Sequence, residues 1–259
     1  MKTRVLVCSP AFNQAYCLRE FVERVRDAGA EKLFLVDDAS TDGSRELLEK
    51  IAGGMKGFLS VQYKKKNEGA SKAVIEAYAG ALEYMQGRKG ADCIIVRMDS
   101  DLEQEPEWIP ELFGALKKAD LAVGLVARPL KARFFDWVYN RWYGFLQGRM
   151  FTGRRWALQS PGLMAFRIGL LKQMLPKLRE YQKMYLREYG EKDRVGVDVA
   201  LLAHARAAGK KMVVVEFRLE EVLPERHSLA KIWAQGREIK RHMRLAKKII
   251  ESGSRRGGT

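Results

Sequence analysis

The sequence predicts an α/β protein with a mainly parallel central sheet flanked by helices and closed by a long amphipathic C-terminal helix. Three observations carry this expectation. Short apolar runs rich in Val, Ile, Leu and Phe alternate with helix-like stretches through the first half of the chain. Each run has the length of a strand buried on both faces. Apolar residues make up 47% of 259 positions, enough to bury one sizeable core.

Taken in order, the expected strands are Arg4–Ser9, Lys32–Asp37, Leu59–Tyr63, Cys93–Met98 and Leu121–Val126. Helical periodicity lies between them at Tyr16–Ala28, Ser44–Ile51, Ser71–Met85 and Pro106–Lys117. Such alternation implies parallel pairing, with ligands bound outside the carboxyl ends of the strands. The second half is less regular. Arg133–Phe151 reads as a helix carrying eight aromatics, among them Trp137 and Trp142. A strand is expected at Gly162–Phe166, a helix at Asp198–Ala208 and a strand at Met212–Phe217. Leu229–Ile250 then reads as a basic amphipathic helix, followed by a Gly/Ser/Arg tail expected to be disordered. No composition shift marks a boundary, so the chain reads as one domain.

Charge and cysteines narrow the classes. The net charge of +15 is concentrated: residues 226–259 hold ten Lys/Arg against two Glu, and residues 128–155 hold seven against one Asp. A basic surface of this kind fits an anionic partner such as lipid head groups or phosphates. The last helix sets Leu229, Ile232, Trp233, Ile239, Met243, Ala246 and Ile250 on one stripe among its basic residues, a pattern expected to lie in a lipid interface. No run of 18 uncharged apolar residues exists, so the expectation is a soluble or surface-bound protein, cytoplasmic and peripheral on the membrane face. Cys8, Cys17 and Cys93 read as reduced thiols. Without a C-x-x-C pair or a His cluster, a structural zinc site is not expected, and His204 and His242 read as helix decoration.

Acidic residues recur where strands end. The second strand closes on Asp37-Asp38-Ala39-Ser40-Thr41-Asp42-Gly43-Ser44, and the fourth on Asp99-Ser100-Asp101, with Glu103 two positions on. Carboxylates one residue apart in extended backbone point the same way and can approach one cation together. Mg²⁺ or Mn²⁺ prefers such oxygen ligands and commonly shares them with a diphosphate. Asp99 and Asp101 would equally serve as caps of the helix beginning near Pro106.

The loops follow one another in a telling order. Pro10-Ala11-Phe12-Asn13 follows strand one and the Asp-Asp run follows strand two. Asn67-Glu68-Gly69-Ala70-Ser71-Lys72 follows strand three, and Asp-Ser-Asp follows strand four. This succession resembles the family 2 glycosyltransferases, nearest to the dolichyl-phosphate mannosyltransferase and polyprenyl-phosphate sugar transferase subgroup. The resemblance implies the A-type glycosyltransferase (nucleotide-diphospho-sugar transferase) fold. It gives Pro10, Phe12, Asn13, Asp37 and Asp38 to the base and ribose of a sugar nucleotide, and sets Asn67, Gly69 and Lys72 beside the donor. Asp99, Ser100, Asp101 and Glu103 fall to the metal and diphosphate, with Asp101 central.

Beyond the donor half, Gln159–Arg167 resembles the subgroup's Asp-Pro-x-Ser-Gly-Phe stretch, and Gly196–Leu202 its Gly-Phe-Asp-x-Glu-Leu-Leu helix. Arg226, Ser228 and Lys231 fall on its phosphate-contacting Arg-x-x-Gly-x-Ser-Lys motif. Gln14, Glu103 and Ala200 depart from the subgroup's usual residues. On this basis residues 1–227 form the catalytic domain, with a donor half to about 127 and an acceptor half beyond it. Residues 228–250 form the helix and 251–259 the tail. The expected activity is inverting transfer of a sugar from a nucleoside-diphosphate sugar to a polyprenyl phosphate at a membrane, assisted by Mg²⁺ or Mn²⁺. A hydroxyl acceptor is the alternative; it would need a general base, for which Asp198 is the candidate, its other role being a helix cap. A basic nucleic-acid-binding protein is disfavoured, because no nucleic-acid motif occurs and the acidic loops would repel a phosphate backbone.

Overall fold

The computed structural model describes residues 3–88, 92–127, 162–193, 196–218 and 229–256, with side chains of the last helix described from Arg237 to Gly253. The expected aromatic helix at 133–151 lies outside the described residues. So do Arg226 and Ser228, and Lys231 is described only in its backbone.

The apolar runs become β1 (Arg4–Ala11), β2 (Lys32–Asp37), β3 (Leu59–Tyr63), β4 (Cys93–Arg97), β5 (Leu121–Ala127), β6 (Met164–Arg167) and β7 (Met212–Arg218). They form one seven-stranded sheet in the order β3-β2-β1-β4-β6-β5-β7. β1 pairs in parallel with β2 and β4, β2 with β3, and β5 with β7. β6 alone runs against its neighbours, β4 and β5. The sheet is therefore mainly parallel, as the alternation implies.

Because both faces are covered, odd and even positions of a strand both carry apolar side chains. Leu6, Cys8, Phe34 and Ile95 pack on one face beneath α3 (Ala70–Tyr84), α5 (Ile168–Tyr189), α6 (Gly196–Ala207) and α7 (Leu229–Arg256). Val7, Leu33, Leu35, Ile94 and Val96 pack on the other beneath α1 (Leu18–Asp27), α2 (Ser44–Gly54) and α4 (Ile109–Ala115), the last entered through a single tight turn, Pro106–Trp108. Cys8, Cys17 and Cys93 are buried and form no disulfide.

Four features differ from the expectation. β1 continues to Ala11, so Pro10 lies inside it, paired opposite Val36. The 22-residue helix α5 is not anticipated, although Leu170, Leu171, Met174, Leu175, Leu178, Tyr181 and Tyr185 are all buried along it; Pro176 interrupts its helical signature. Among the described residues, part of the closing helix's stripe is not free for a lipid interface: Ala246 is buried and Met243 and Ile250 pack against the core, beside the buried His242 and Leu245. The tail expected to be disordered from 251 is helical through Arg256. Gly253 permits this, because a Cβ there would stand 2.6 Å from the Cβ of Ala207, so the two helices meet backbone to backbone.

Candidate active site

From β1 the chain steps outward through β2 to β3, then returns across β1 to place β4 on its other side. That reversal opens a crevice between the carboxyl ends of β1 and β4, where sheets of this kind bind ligands. The loops after β1, β2 and β4 meet there. Each contains one non-glycine residue with positive φ: Asn13 (54°), Ala39 (64°) and Leu102 (61°). Asn tolerates this left-handed conformation; Ala and Leu hold it at a cost of about 1–2 kcal/mol each, so the surrounding bonds must impose it.

Those bonds are visible. The Asn13 amide donates to Ser40 Oγ (2.9 Å), and Asn13 Oδ1 accepts from the Thr41 amide (2.8 Å). Gln14 and Ala15 amides donate to Ser44 Oγ (3.0 Å) and Asp42 Oδ2 (2.9 Å). Ser100 Oγ donates to the Pro10 carbonyl (2.8 Å) and also meets Gln14 Oε1. Phe12 emerges from this mesh 44% exposed, and Tyr16 70% exposed, the two large aromatics open to solvent among the described residues.

The paired aspartates after β2 are buried and occupied. Asp37 accepts from the amide and hydroxyl of Ser40. Asp38 takes the amides of Glu68 (2.9 Å) and Gly69 (2.7 Å) and the ammonium of Lys64 (2.9 Å). Its carboxylate thus shapes the loop after β3. Gly69 sits at φ +97°, and a Cβ there would lie 2.4 Å from the Asp193 carbonyl, so no other residue fits without a shift. Asn67 accepts from Lys192 Nζ (3.1 Å) and Lys72 pairs with Glu68. Both border a cavity of about 610 Å³ toward α5, shared with Arg179 and Lys183.

The Asp-Ser-Asp segment separates into different tasks. Asp99 is held through Oδ1 by Arg97 Nη1 (2.8 Å) and through Oδ2 by the Gln104 amide group (3.0 Å). Asp101 is half-buried, its Oδ1 accepting from the Glu103 amide (3.0 Å). Burial, then the nearby charges of Asp99 and Glu103, push its carboxyl up to about 7. The expected trio of metal ligands is not drawn onto one point: among the described residues the acid-and-imidazole group whose ligand atoms all lie within 4.8 Å of one another is Asp193, Glu238 and His242. Asp99 is engaged by Arg97 and Gln104, whereas Asp101 Oδ1 is met by the Glu103 amide.

Arg97 was not singled out from the sequence, yet it is the hinge of the site. It is buried, and its second nitrogen reaches Asp198 Oδ2 at 3.2 Å. Burial opposes its charge, while Asp198 and Asp99 hold the guanidinium protonated. Asp198 is not the helix cap: the first amides of α6 go to Asp193 Oδ1 (2.7 Å) and Ser71 Oγ (3.1 Å). Burial raises its carboxyl to about 7, with Arg97 pulling against that shift. An arginine ending the apolar run Ile94-Ile95-Val96 is the available signal, since a buried guanidinium requires carboxylate partners. His242 is likewise no surface decoration; it is fully buried against Tyr181 and Tyr185.

A mainly parallel sheet with this crevice, exposed aromatics and an Asp-Ser-Asp loop defines a nucleotide-sugar transferase of the A-type glycosyltransferase fold. Residues 6–178 match the description "Glycosyl transferase family 2", and the chain belongs to that family. It is 30% identical over 174 residues to the undecaprenyl-phosphate mannosyltransferase of Micrococcus luteus, covering 65% of this chain and 68% of that one. It is 26% identical to the dodecaprenyl-phosphate galacturonate synthase of Rhizobium johnstonii, over 77% of this chain and 59% of that one. The chain thus spans about two-thirds or less of the length of these relatives. Glucosyl-3-phosphoglycerate synthase from Mycobacterium tuberculosis, crystallised with Mn²⁺, UDP and phosphoglyceric acid, superposes with a TM-score of 0.64 at 17% identity. That superposition covers 94% of this chain and 78% of that one.

Proposed function

We propose that this chain transfers a sugar from a nucleoside-diphosphate sugar to a polyprenyl phosphate at a membrane surface, with inversion at the anomeric carbon. Phe12 offers an exposed ring on which a nucleobase stacks. The knitted loops after β1 and β2 hold that ring and the backbone around it in place. A divalent cation, Mg²⁺ or Mn²⁺, fits at Asp101, because a desolvated carboxylate crowded by Asp99 and Glu103 is relieved by a hard cation. Held there, it would supply positive charge to offset that of a departing diphosphate. Arg97 fixes Asp99 through a 2.8 Å ion pair and so fixes the backbone from which Asp101 projects. Glu103 lies beside Asp101, and its amide orients the carboxylate.

The acceptor class rests on two supports. The relatives above are named for lipid-phosphate acceptors, undecaprenyl and dodecaprenyl phosphate. The observation that carries the proposal is the state of Asp198, buried and tied to Arg97 at 3.2 Å, where it is poorly placed to take a proton from a hydroxyl. A phosphate oxygen is already ionised near neutral pH and attacks without a base. Arg226, Ser228 and Lys231 are proposed to meet the phosphates, in keeping with their charge and hydrogen-bonding capacity. Among the described residues no helix is long and apolar enough to cross a membrane. We place the protein peripherally on the cytoplasmic face, its basic segments toward anionic lipid.

The test is transfer of labelled sugar from a panel of sugar nucleotides into a butanol-extractable, acid-labile product. Wild type and Asp198→Asn should both make that product from a polyprenyl phosphate, and Asp101→Asn should not. No extractable product with any polyprenyl phosphate, together with a dead Asp198→Asn on a hydroxyl acceptor, would overturn the proposal.

A further inference from the structure

Away from the crevice, α7 carries Glu238 and His242 one helical turn apart, facing the loop that ends at Asp193. His242 is 0% exposed, yet its Nε2 has no hydrogen-bond partner, and Asp193 Oδ2 is likewise buried and unpartnered. Nε2 stands 3.4 Å from Asp193 Oδ1 and 3.7 Å from Glu238 Oε1. Those separations are too long for good hydrogen bonds. They match the edge of a tetrahedron around a small cation: bonds of 2.0–2.2 Å give ligand-to-ligand edges of about 3.3–3.6 Å.

From this geometry we propose that Asp193, Glu238 and His242 form a second metal site, for a zinc-class divalent ion, distinct from the cation at Asp101. The surroundings are built for it. The other ring nitrogen, Nδ1, lies 2.6 Å from Tyr181 Oη, so with Nε2 on the metal Nδ1 carries the proton and donates it to the phenol oxygen. An oxygen partner of that kind orients a metal-bound imidazole. Tyr185 stacks on the ring with centroids 4.4 Å apart. Gly196 leaves the necessary space, since a Cβ there would lie 2.3 Å from His242 Cε1 and 2.7 Å from Asp193 Oδ1. An imidazole with two carboxylates selects a borderline ion such as Zn²⁺, whereas Mg²⁺ suits an all-oxygen set. No cysteine or clustered histidine signals this site in the sequence; the one local trace is the Glu–His pair four residues apart.

The site also has a structural consequence. The Asp193 carbonyl accepts from the Ser71 amide and lies over Gly69, whose own amide is held by Asp38. A metal on Asp193 therefore staples the closing helix to the donor-side loop.

Zn²⁺ titrated into dialysed full-length protein against a chromophoric chelator tests this independently of the transfer reaction. Wild type and Asp101→Asn should each hold one zinc that His242→Gln lacks. Tyr181→Phe should weaken that zinc by about 10–100-fold. Glu238→Gln, at a half-buried position that does not threaten the fold, should weaken it at least as much and blunt the zinc-dependent rise in Tm. Wild-type protein holding no such zinc, or Glu238→Gln binding it as tightly as wild type, would overturn the proposal and leave His242 as a buried packing residue beside Asp193 and Glu238.

Discussion

Replacing Arg97 with methionine tests the internal logic of the site most directly. The substitution removes the guanidinium paired with Asp198 at 3.2 Å, whose carboxylate then sits buried without that partner. Breaking a buried pair by deleting one partner costs about 3–5 kcal/mol. Asp198 has an escape, because it can take up a proton, and this sets a ceiling. Because that carboxyl already sits at about 7 beside Arg97, the further cost of keeping it protonated is slight at pH 5 and grows above pH 7 by about 1.4 kcal/mol per pH unit, to about 3 kcal/mol at pH 9. The sign follows from the direction of the shift. Burial already raises Asp198 to about 7 in the native protein. A raised carboxyl binds protons more tightly folded than unfolded, so its unfavourable contribution grows as pH rises from the unfolded pKa of about 3.9 to the folded one. Arg97→Met should therefore lose about 3 kcal/mol more at pH 9 than at pH 5. Urea unfolding at both pH values, followed by tryptophan fluorescence, reads this out. Arg97→Met/Asp198→Asn should recover most of the loss, since removing both partners is far milder than stranding one. An equal loss at pH 5 and pH 9, or a double variant no better than the single, would refute the reasoning.

Three further outcomes are expected. Asp101→Asn should abolish transfer without lowering Tm, EDTA should silence the wild type, and Mg²⁺ or Mn²⁺ should restore it; full activity in excess EDTA would count against the cation at Asp101. Phe12→Ala should raise the donor KM by up to about 10-fold, the equivalent of a 0.5–1.5 kcal/mol stacking contribution, with Tm unchanged because the ring is exposed. Gly69→Ala should destabilise the protein by at least about 1–3 kcal/mol in urea unfolding, since φ +97° and the Asp193 carbonyl both oppose a side chain; a neutral effect would mean the loop is free to move.

How far the sequence discloses this molecule depends on which signals are local. β1, β2 and β4 are legible because burial on both faces makes them continuous apolar runs, and the loops between them follow in family order. The Asp-Ser-Asp segment is legible as acidic, but its division of labour is not. That Asp99 serves Arg97 while Asp101 stays available depends on Asp198, which arrives from 101 residues away. The amphipathic stripe of α7 is legible too, but its destination is not, because Met243 and Ala246 would suit lipid or protein equally. The better clue lies in α6, where Val197, Val199, Ala200, Leu201, Leu202, Ala203 and Ala205 are all buried. A helix apolar on every side must be covered, and α7 is what covers it.

The mutual bonding of Asn13, Gln14 and Ala15 with Ser40, Thr41, Asp42 and Ser44 bears on redesign. Neither loop keeps its shape alone: the left-handed turn at Asn13 is secured by Ser40 and Thr41, and the turn at Ala39 adjoins Ser40, which grips Asp37. Grafting a foreign nucleotide-recognition loop after β1 would leave Ser40, Asp42 and Ser44 without their backbone donors and would make the pocket order itself each time the donor arrives. On the proposed donor site these loops form a two-segment unit, and a library that exchanges 12–15 and 39–44 together should retain far more folded, donor-competent members than one that varies either alone.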